Sequence, residues 1–418
     1  MQRAATNQRG HRILESIWCH GSYLYILHSR LKVLLMNLAD QGLRVRRVET
    51  VRDRERFVQL PWSLYADDPA WVPPLIPLLR NRLSPKRNPY FRHAEVACFV
   101  AERCGEVVGR ISTQVCQLVQ KHHEKGTGHY GMFECENRPA TADALFDAAQ
   151  AWLKRQGMTR MLGPFDFSVN EELGMLVDGF KTPPFVMMGH HRDYYPALLD
   201  HVGLDKEIDL FAYYLDISRP YTDRIARIVR HASRDSRIKL QLIARSEREQ
   251  GLRLALDVFN DGWSDNWGYI PPTDYEVDHL VAQLSRLIDR GLVMLAEVDG
   301  ETAGCMIVLP NLNEFIGDLN GRLLPMGWLK LLWRLRFMPF QSVRVPLMGI
   351  RKRYQNARVG ASVALSMIDQ CRAECVTRGV KDCEMSWILE SNAPMRGILD
   401  SAGCEPYKRY RIFKKLLP

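Results

Sequence analysis

Gly349-Ile-Arg-Lys-Arg-Tyr-Gln-Asn-Ala-Arg-Val-Gly360-Ala361 decides the fold of this 418-residue chain. The apolar run before it, from Val343, reads as a strand. The segment after it reads as a helix, because Val363, Met367, Cys371 and Cys375 recur every fourth residue. A strand that passes through a short basic loop straight into a helix leaves the first-turn N–H groups unpaired and partly positive. Such a helix start holds a phosphate or pyrophosphate. Gly360 and Ala361 keep bulk away from a ligand backbone, and Arg351, Lys352, Arg353 and Arg358 place positive charge around it.

Downstream, Gly379 closes the helix as a left-handed cap, and Asp382–Glu390 reads as a strand. Ser391-Asn392-Ala-Pro394 has helix-start chemistry, Gly403 ends that short helix, and Tyr407–Lys414 returns as a strand. This order resembles the acyl-CoA-binding half of the GCN5-related N-acetyltransferase (GNAT) superfamily. There a loop of the type Arg/Gln-x-x-Gly-x-Gly/Ala grips the CoA pyrophosphate. Gln355-Asn356-Ala357-Arg358-Val359-Gly360 aligns with it, with Arg358 where a Gly is usual.

The resemblance implies acyl-CoA as co-substrate, held by Met348, Gly349, Ile350, Arg351, Gln355, Asn356, Arg358, Val359, Gly360, Ala361 and Asn392. It implies that an acceptor amine attacks the thioester carbonyl, that a carboxylate or water chain removes a proton, and that backbone N–H groups polarise the carbonyl. Met348 and Gly349 are the candidate donors, and Glu384 and Glu390, which flank the fifth strand, are the candidate bases. Superfamily members often reprotonate the thiolate with a Tyr on the last helix. This chain has Leu399 and Asp400 there, so Tyr407 and Tyr410 on the final strand are the nearest substitutes.

The same succession of elements occurs earlier. A strand from Arg44, a helix over Asp53–Tyr65, hairpin strands Val96–Glu102 and Val107–Val115, a strand Tyr130–Cys135, a helix Ala140–Gln156 and a strand Ile208–Leu215 precede Leu240–Ala244, helices Gly251–Asn260 and Val277–Asp289, and the hairpin Leu292–Val298 and Thr302–Leu309 around Asp299-Gly300. The fold class is α/β with a mixed sheet, in two tandem GNAT-like domains. The expected division is an extension over 1–43, a degenerate domain over 44–216, a linker over 217–237 and a CoA-binding domain over 238–418. In the first copy the matching junction, Glu134-Cys-Glu-Asn-Arg-Pro-Ala140, carries two carboxylates that repel a pyrophosphate. That half is expected to act as scaffold or to help form the acceptor site.

A length of 418 residues suggests two domains, and 46% hydrophobic with 25% charged residues suits a folded chain. The ten cysteines are scattered without a Cys-x-x-Cys pair, which favours free thiols, and His122, His123 and His129 lack the partners of a zinc site, so no metal is expected. The net charge of +9 favours anionic partners. It is spread along the chain without a nucleic-acid-binding motif, so nucleic acid is not expected. Ile17–Leu38 is apolar, but His20, His28, Arg30 and Lys32 interrupt it, which excludes a membrane span.

Two segments bear on the acceptor. Trp263, Asn266, Trp267, Tyr269 and Asp274 lie in the bend that covers the acceptor in many GNAT proteins, and Asp318 and Asn320 lie in a polar turn. Between Gly327 and Phe337, Trp328, Leu331, Leu332 and Leu335 share a helical face while Lys330 and Arg334 lie opposite. A basic, Trp-rich amphipathic helix of this kind lies flat in a lipid interface. With Leu60-Pro-Trp-Ser-Leu-Tyr65, Asp68-Pro-Ala-Trp-Val-Pro-Pro74, Asn88-Pro-Tyr-Phe-Arg-His-Ala-Glu95 and Gly321-Arg-Leu-Leu-Pro-Met-Gly-Trp328, residues 44 to 418 resemble a family of bacterial tandem GNAT-like proteins, some of them linked to bacterial ceramide synthesis. The resemblance implies an acyl-CoA-dependent N-acyltransferase acting on a small-molecule or lipid amine, in the cytoplasm or peripheral on the inner membrane face. An aminoacyl-tRNA-dependent transferase of the peptidoglycan type and a non-catalytic CoA-binding module are the alternatives.

Overall fold

The computed structural model describes residues 42–287, 291–355, 357–401 and 404–418. Asn356, Gly403 and almost all of the expected extension over residues 1–43 fall outside the described residues. The first half runs β1 (Arg44–Arg47), α1 (Val51–Leu64), β2 (Ala94–Arg103), β3 (Glu106–Cys116), β4 (Thr127–Cys135), α2 (Pro139–Arg155), β5 (Arg160–Gly163), β6 (Met175–Asp178), α3 (Tyr195–His201) and β7 (Asp205–Asp216). After α4 (Asp223–Ala232), the second half runs β8 (Ile238–Leu242), α5 (Arg248–Trp263), α6 (Asp274–Leu287), β9 (Leu292–Val298), β10 (Glu301–Pro310), α7 (Gly327–Phe337), β11 (Ser342–Ile350), α8 (Arg358–Thr377), β12 (Asp382–Leu389), α9 (Ala393–Ser401) and β13 (Pro406–Leu416).

Local chemistry sets many of these boundaries. Thr50 and Asp53 form a reciprocal capping box that starts α1. Both hairpins turn on a residue pair with positive φ, Cys104-Gly105 and Asp299-Gly300, which matches the right-handed twist of the flanking strands.

The strands form one mixed sheet in the order β1-β2-β3-β4-β5-β13-β7-β12-β11-β10-β9-β8, with β6 paired to β13 off this path. Read from either edge, each half contributes its strands in the same sequence until the last. There the halves exchange: β13 pairs with β5 from Phe413↔Gly163 to Leu416↔Arg160, while β7 pairs with β12 from Asp382↔Asp216 to Leu389↔Leu210. A chain boundary near Asp216 is therefore not a boundary in the sheet. The expected linker over 217–237 contains α4, whose neighbour is α8.

On one face of the second half, Val363, Met367, Cys371 and Cys375 of α8 pack on Val343, Val345, Cys383 and Met385, so the fourfold apolar spacing is the core face. On the other face Leu252, Ala255 and Leu256 of α5 meet Leu295, Cys305 and Ile307, joined by Val186 from the first half. The segment after β6 thus crosses onto the second half's sheet.

Two histidines, His129 buried and His191 half-buried, set an acid limit to this packing. His191 accepts a hydrogen bond from the Leu176 amide at 3.1 Å and His129 stacks on Phe165 at 4.4 Å, and burial pushes both rings down to about 3. An unfolded histidine titrates near about 6.5, so below that pH the unfolded chain binds protons that the folded one refuses. Stability from the two neutral rings is complete above about 6.5 and is lost as the pH falls toward about 3. Urea midpoints are expected to drop across this window. His191→Asn, which keeps an acceptor but cannot titrate, should flatten the slope, and an unchanged slope would refute the assignment.

Candidate active site

β11 and β12 run parallel and pair only from Ser342↔Asp382 to Val345↔Met385. At that point β11 sets four residues, Arg344 to Leu347, against three on β10, and β12 sets four, Met385 to Ile388, against three on β7. The extra residue in each strand bends it, and Pro346 has no N–H for a ladder. The ladder between them stops, and each continues paired only to its other neighbour, β11 to β10 as far as Ile350 and β12 to β7 as far as Leu389. A gap in the sheet's hydrogen bonding results on the side of Ile350 and Leu389, where the chain passes from β11 to α8.

Which amides face the gap follows from strand alternation. The Met348 carbonyl accepts from Trp263 Nε1 at 3.1 Å, whereas the Arg351 N–H bonds Ala303 O on β10 at 2.9 Å. N–H and C=O of one strand residue point the same way and alternate along the strand. Met348 therefore turns its amide to the gap, and Gly349 turns its amide to β10. Of the two expected oxyanion donors, the geometry keeps Met348 and removes Gly349.

At the apex of the gap sits a buried polar cluster. Glu384 is fully buried; its carboxylate accepts from Ser386 Oγ at 2.6 Å and from the Tyr407 hydroxyl, and lies 3.5 Å from Arg344 Nε. Arg344, equally buried, donates to Ser386 Oγ at 2.9 Å and to the carbonyls of Val186 and Met187 at 3.0 and 3.2 Å. Its guanidinium lies over the Trp387 ring, 4.7 Å from the centroid. Burial pushes the Glu384 carboxyl up against the pull of Arg344, Ser386 and Tyr407, and pushes the Tyr407 hydroxyl up as well. Lys408 donates to the carbonyls of Gly179 and Thr182 at 2.8 and 2.6 Å, and burial pushes it down to about 8. Trp387 Nε1 is buried with no hydrogen-bond partner among the described residues.

The sequence-derived residues divide accordingly. Glu384 is in the cluster. Glu390 is not: its carboxylate is paired with Lys206 at 2.7 Å, beside Asp209. Tyr410 is fully buried and donates to Gly189 O at 3.0 Å, so Tyr407 is the tyrosine that touches Glu384. Trp263 roofs β11, and Trp267 packs against the same core group as Trp387 and Tyr407. Asn266 and Tyr269 form the turns around them. Asp318 is ion-paired to Lys330 and Arg334 at 2.5 Å each, and Asn320 takes a left-handed turn whose carbonyl accepts from Trp62. Both serve the α7 insertion rather than the gap.

At the far end of the gap, α8 starts without any side-chain cap, and Ala357, Arg358 and Ala361 are exposed. A Cβ on Gly360 would lie 2.1 Å from Tyr354 O, so only glycine lets the preceding turn pass over the helix start. Gln355 Nε2 ties that turn down through Ile350 O at 2.8 Å and Gly262 O at 2.7 Å. The charges around the loop differ from expectation: Arg351 pairs with Asp257, Lys352 with Asp265 and Arg353 with Glu301. Arg358 is the cation at the helix start. Asn392 directs its side-chain oxygen to the Met395 amide at 3.2 Å, capping α9. In the first half the matching junction is filled from within. Glu136 accepts from Thr141 and Arg103 at 2.7 and 3.0 Å, and Glu134 from the Tyr65 and Tyr195 hydroxyls at 2.8 and 2.7 Å.

Twin halves, a split between two parallel strands and an uncapped helix at the split define a tandem GNAT protein. A solved tandem GNAT protein from the clavulanic acid biosynthesis pathway superposes with a TM-score of 0.53 at 12% identity, over 90% of this chain and 99% of that one. No family model matches the sequence. Across 379 residues, 90% of the chain, it is 42% identical to the bacterial ceramide synthase of Caulobacter vibrioides, covering 98% of that protein, and 39% identical to protein YghO of Escherichia coli, covering 96%. The chain belongs to the family of these two proteins.

Proposed function

We propose that the chain is an acyl-CoA-dependent N-acyltransferase whose acceptor is a long-chain lipid amine. One observation carries the reading: the gap between β11 and β12 has an anion-accepting helix start at one end and the Tyr407–Glu384 pair at the other. The first turn of α8 with Arg358 would hold the pyrophosphate, and the Met348 amide would polarise the thioester carbonyl. As the amine attacks, the C–N bond forms and the C–S bond breaks. The ammonium proton passes to the Tyr407 oxygen while Tyr407 hands its own to Glu384; the departing thiolate takes a proton back. A carboxyl raised by burial suits that task near neutral pH.

The lipid character of the acceptor is supported by the relative named for ceramide synthesis and by the aromatic side chains Trp263, Trp267, Trp387 and Tyr407 on one core group. Since acyl-CoA is a cytoplasmic donor, this reading puts the protein on the cytoplasmic side of a membrane that holds its acceptor.

The test is direct. Arg358→Glu combined with Gly360→Asp replaces the cation and blocks the turn, and should weaken CoA binding about 100-fold or more by calorimetry; unchanged affinity would end the CoA assignment. With palmitoyl-CoA, mass spectrometry should find an N-acyl product from a sphingoid amine and none from short polar amines. The reverse preference would overturn the lipid acceptor.

A further inference from the structure

The helix α7 is turned inside out relative to a surface helix. Such helices bury their apolar stripe and present charge to water. Here Leu329, Leu332, Trp333 and Phe337, which follow one another at helical spacing, form an outward row. Trp333 is 57% and Phe337 65% exposed, and no residue of the helix is fully buried. The loop before it continues the row with Leu324, 78% exposed, and Met326. Two of the helix's cations are tied back at their tips: Lys330, itself exposed, and Arg334 reach Asp318 at 2.5 Å, and Arg334 also donates to Phe315 O at 2.6 Å. Leu331 and Leu323 anchor the segment on Ile316 and Leu319. The outward row Leu329–Phe337 is flanked by exposed Trp328, while Leu331 and Leu335 of the face that periodicity alone favours are half-buried.

Charge identifies what covers the row. Between Gly321 and Met338 there are four basic residues, Arg322, Lys330, Arg334 and Arg336, and no acidic one. A second copy of the chain, packed symmetrically, would set these cations against themselves. An anionic bilayer surface complements both features, because its headgroups meet the basic rim while tryptophan, leucine and phenylalanine enter the interface. Among the described residues no helix is long and apolar enough to cross a membrane; the segment lies on it.

We infer that α7 is a peripheral docking helix for an anionic bilayer, lying flat and inserting Leu329, Leu332, Trp333 and Phe337. The inference builds on the lipid-amine reading, but its test uses neither substrate. The full chain is sedimented with phosphatidylcholine vesicles with and without phosphatidylglycerol while tryptophan emission is followed. Binding to the anionic vesicles with a blue shift is expected. Leu332→Glu with Trp333→Glu should lower the bound fraction about 10-fold or more. Both side chains lie outside the core, so circular dichroism and CoA affinity should stay as in the parent. Vesicle binding that the double variant does not weaken would overturn the proposal. So would a parent that sediments as a dimer, becomes monomeric in the variant and ignores vesicles. Intact vesicle binding without any N-acylated lipid product would instead sink the lipid-amine reading and leave the docking helix standing.

Discussion

Tyr407→Phe lowers kcat by about 10² to 10⁴-fold and leaves acyl-CoA affinity unchanged. The hydroxyl is the one group that reaches Glu384 from the half-buried side of the cluster, so its loss interrupts the proton path while the helix start of α8 is untouched. Steady-state kinetics and calorimetry on the same preparations separate the two effects. The pH profile adds an independent reading. The base works ionised, so activity rises with pH through the Glu384 carboxyl, which burial lifts above the ordinary carboxylate value of about 4.3. A fall of less than about fivefold in kcat, or an acid limb at the ordinary carboxylate value, would assign proton removal to another group.

Arg344→Met destabilises the fold by about 3–5 kcal/mol, because it leaves the fully buried Glu384 carboxylate without its cation. The guanidinium also holds the carbonyls of Val186 and Met187, so the first half's segment over the sheet loosens with it. Replacing both partners with Met removes both charges from the interior and should recover most of the loss, since well-packed apolar groups often equal a buried pair. The doubly substituted protein is expected to fold and to be inactive. Urea unfolding of the three proteins decides the matter: a loss below about 1 kcal/mol in the single variant would mean that water reaches the cluster.

Much of the site was legible before any coordinates. Gly360 is readable because a helix start that admits a ligand backbone excludes bulky side chains, and Glu384 because the GNAT resemblance puts a base beside the fifth strand. Arg344 was overlooked, although a lone guanidinium in Val343-Arg-Val-Pro346 at the centre of a sheet is itself a signal of a buried partner. Arg351, Lys352 and Arg353 misled for the opposite reason. Sequence displays their charge but not Asp257, Asp265 and Glu301, which lie about fifty to ninety residues away along the chain and neutralise them. Glu390 is drawn off by Lys206, 184 residues away, whereas Asp318 is held by Lys330 and Arg334 within its own segment, 12 and 16 residues on. The contribution of residues 179–190 to the second half's cluster rests on carbonyl groups, which carry no residue-type signature. Strand exchange was equally hidden, since β7 and β13 have the same alternating character and each suits either slot.

That exchange bears on biosynthesis. While the protein is being made, the earlier half leaves the ribosome with a vacant place between β5 and β7, which is filled by the eleven residues of β13, translated only after every strand from β8 to β12. Folding half by half as translation proceeds, the usual order for tandem proteins, is closed to it. A product cut short before β13 would carry open sheet edges of the kind that recruit other chains into aggregates, so synthesis through β13 is itself a condition for the earlier half to mature.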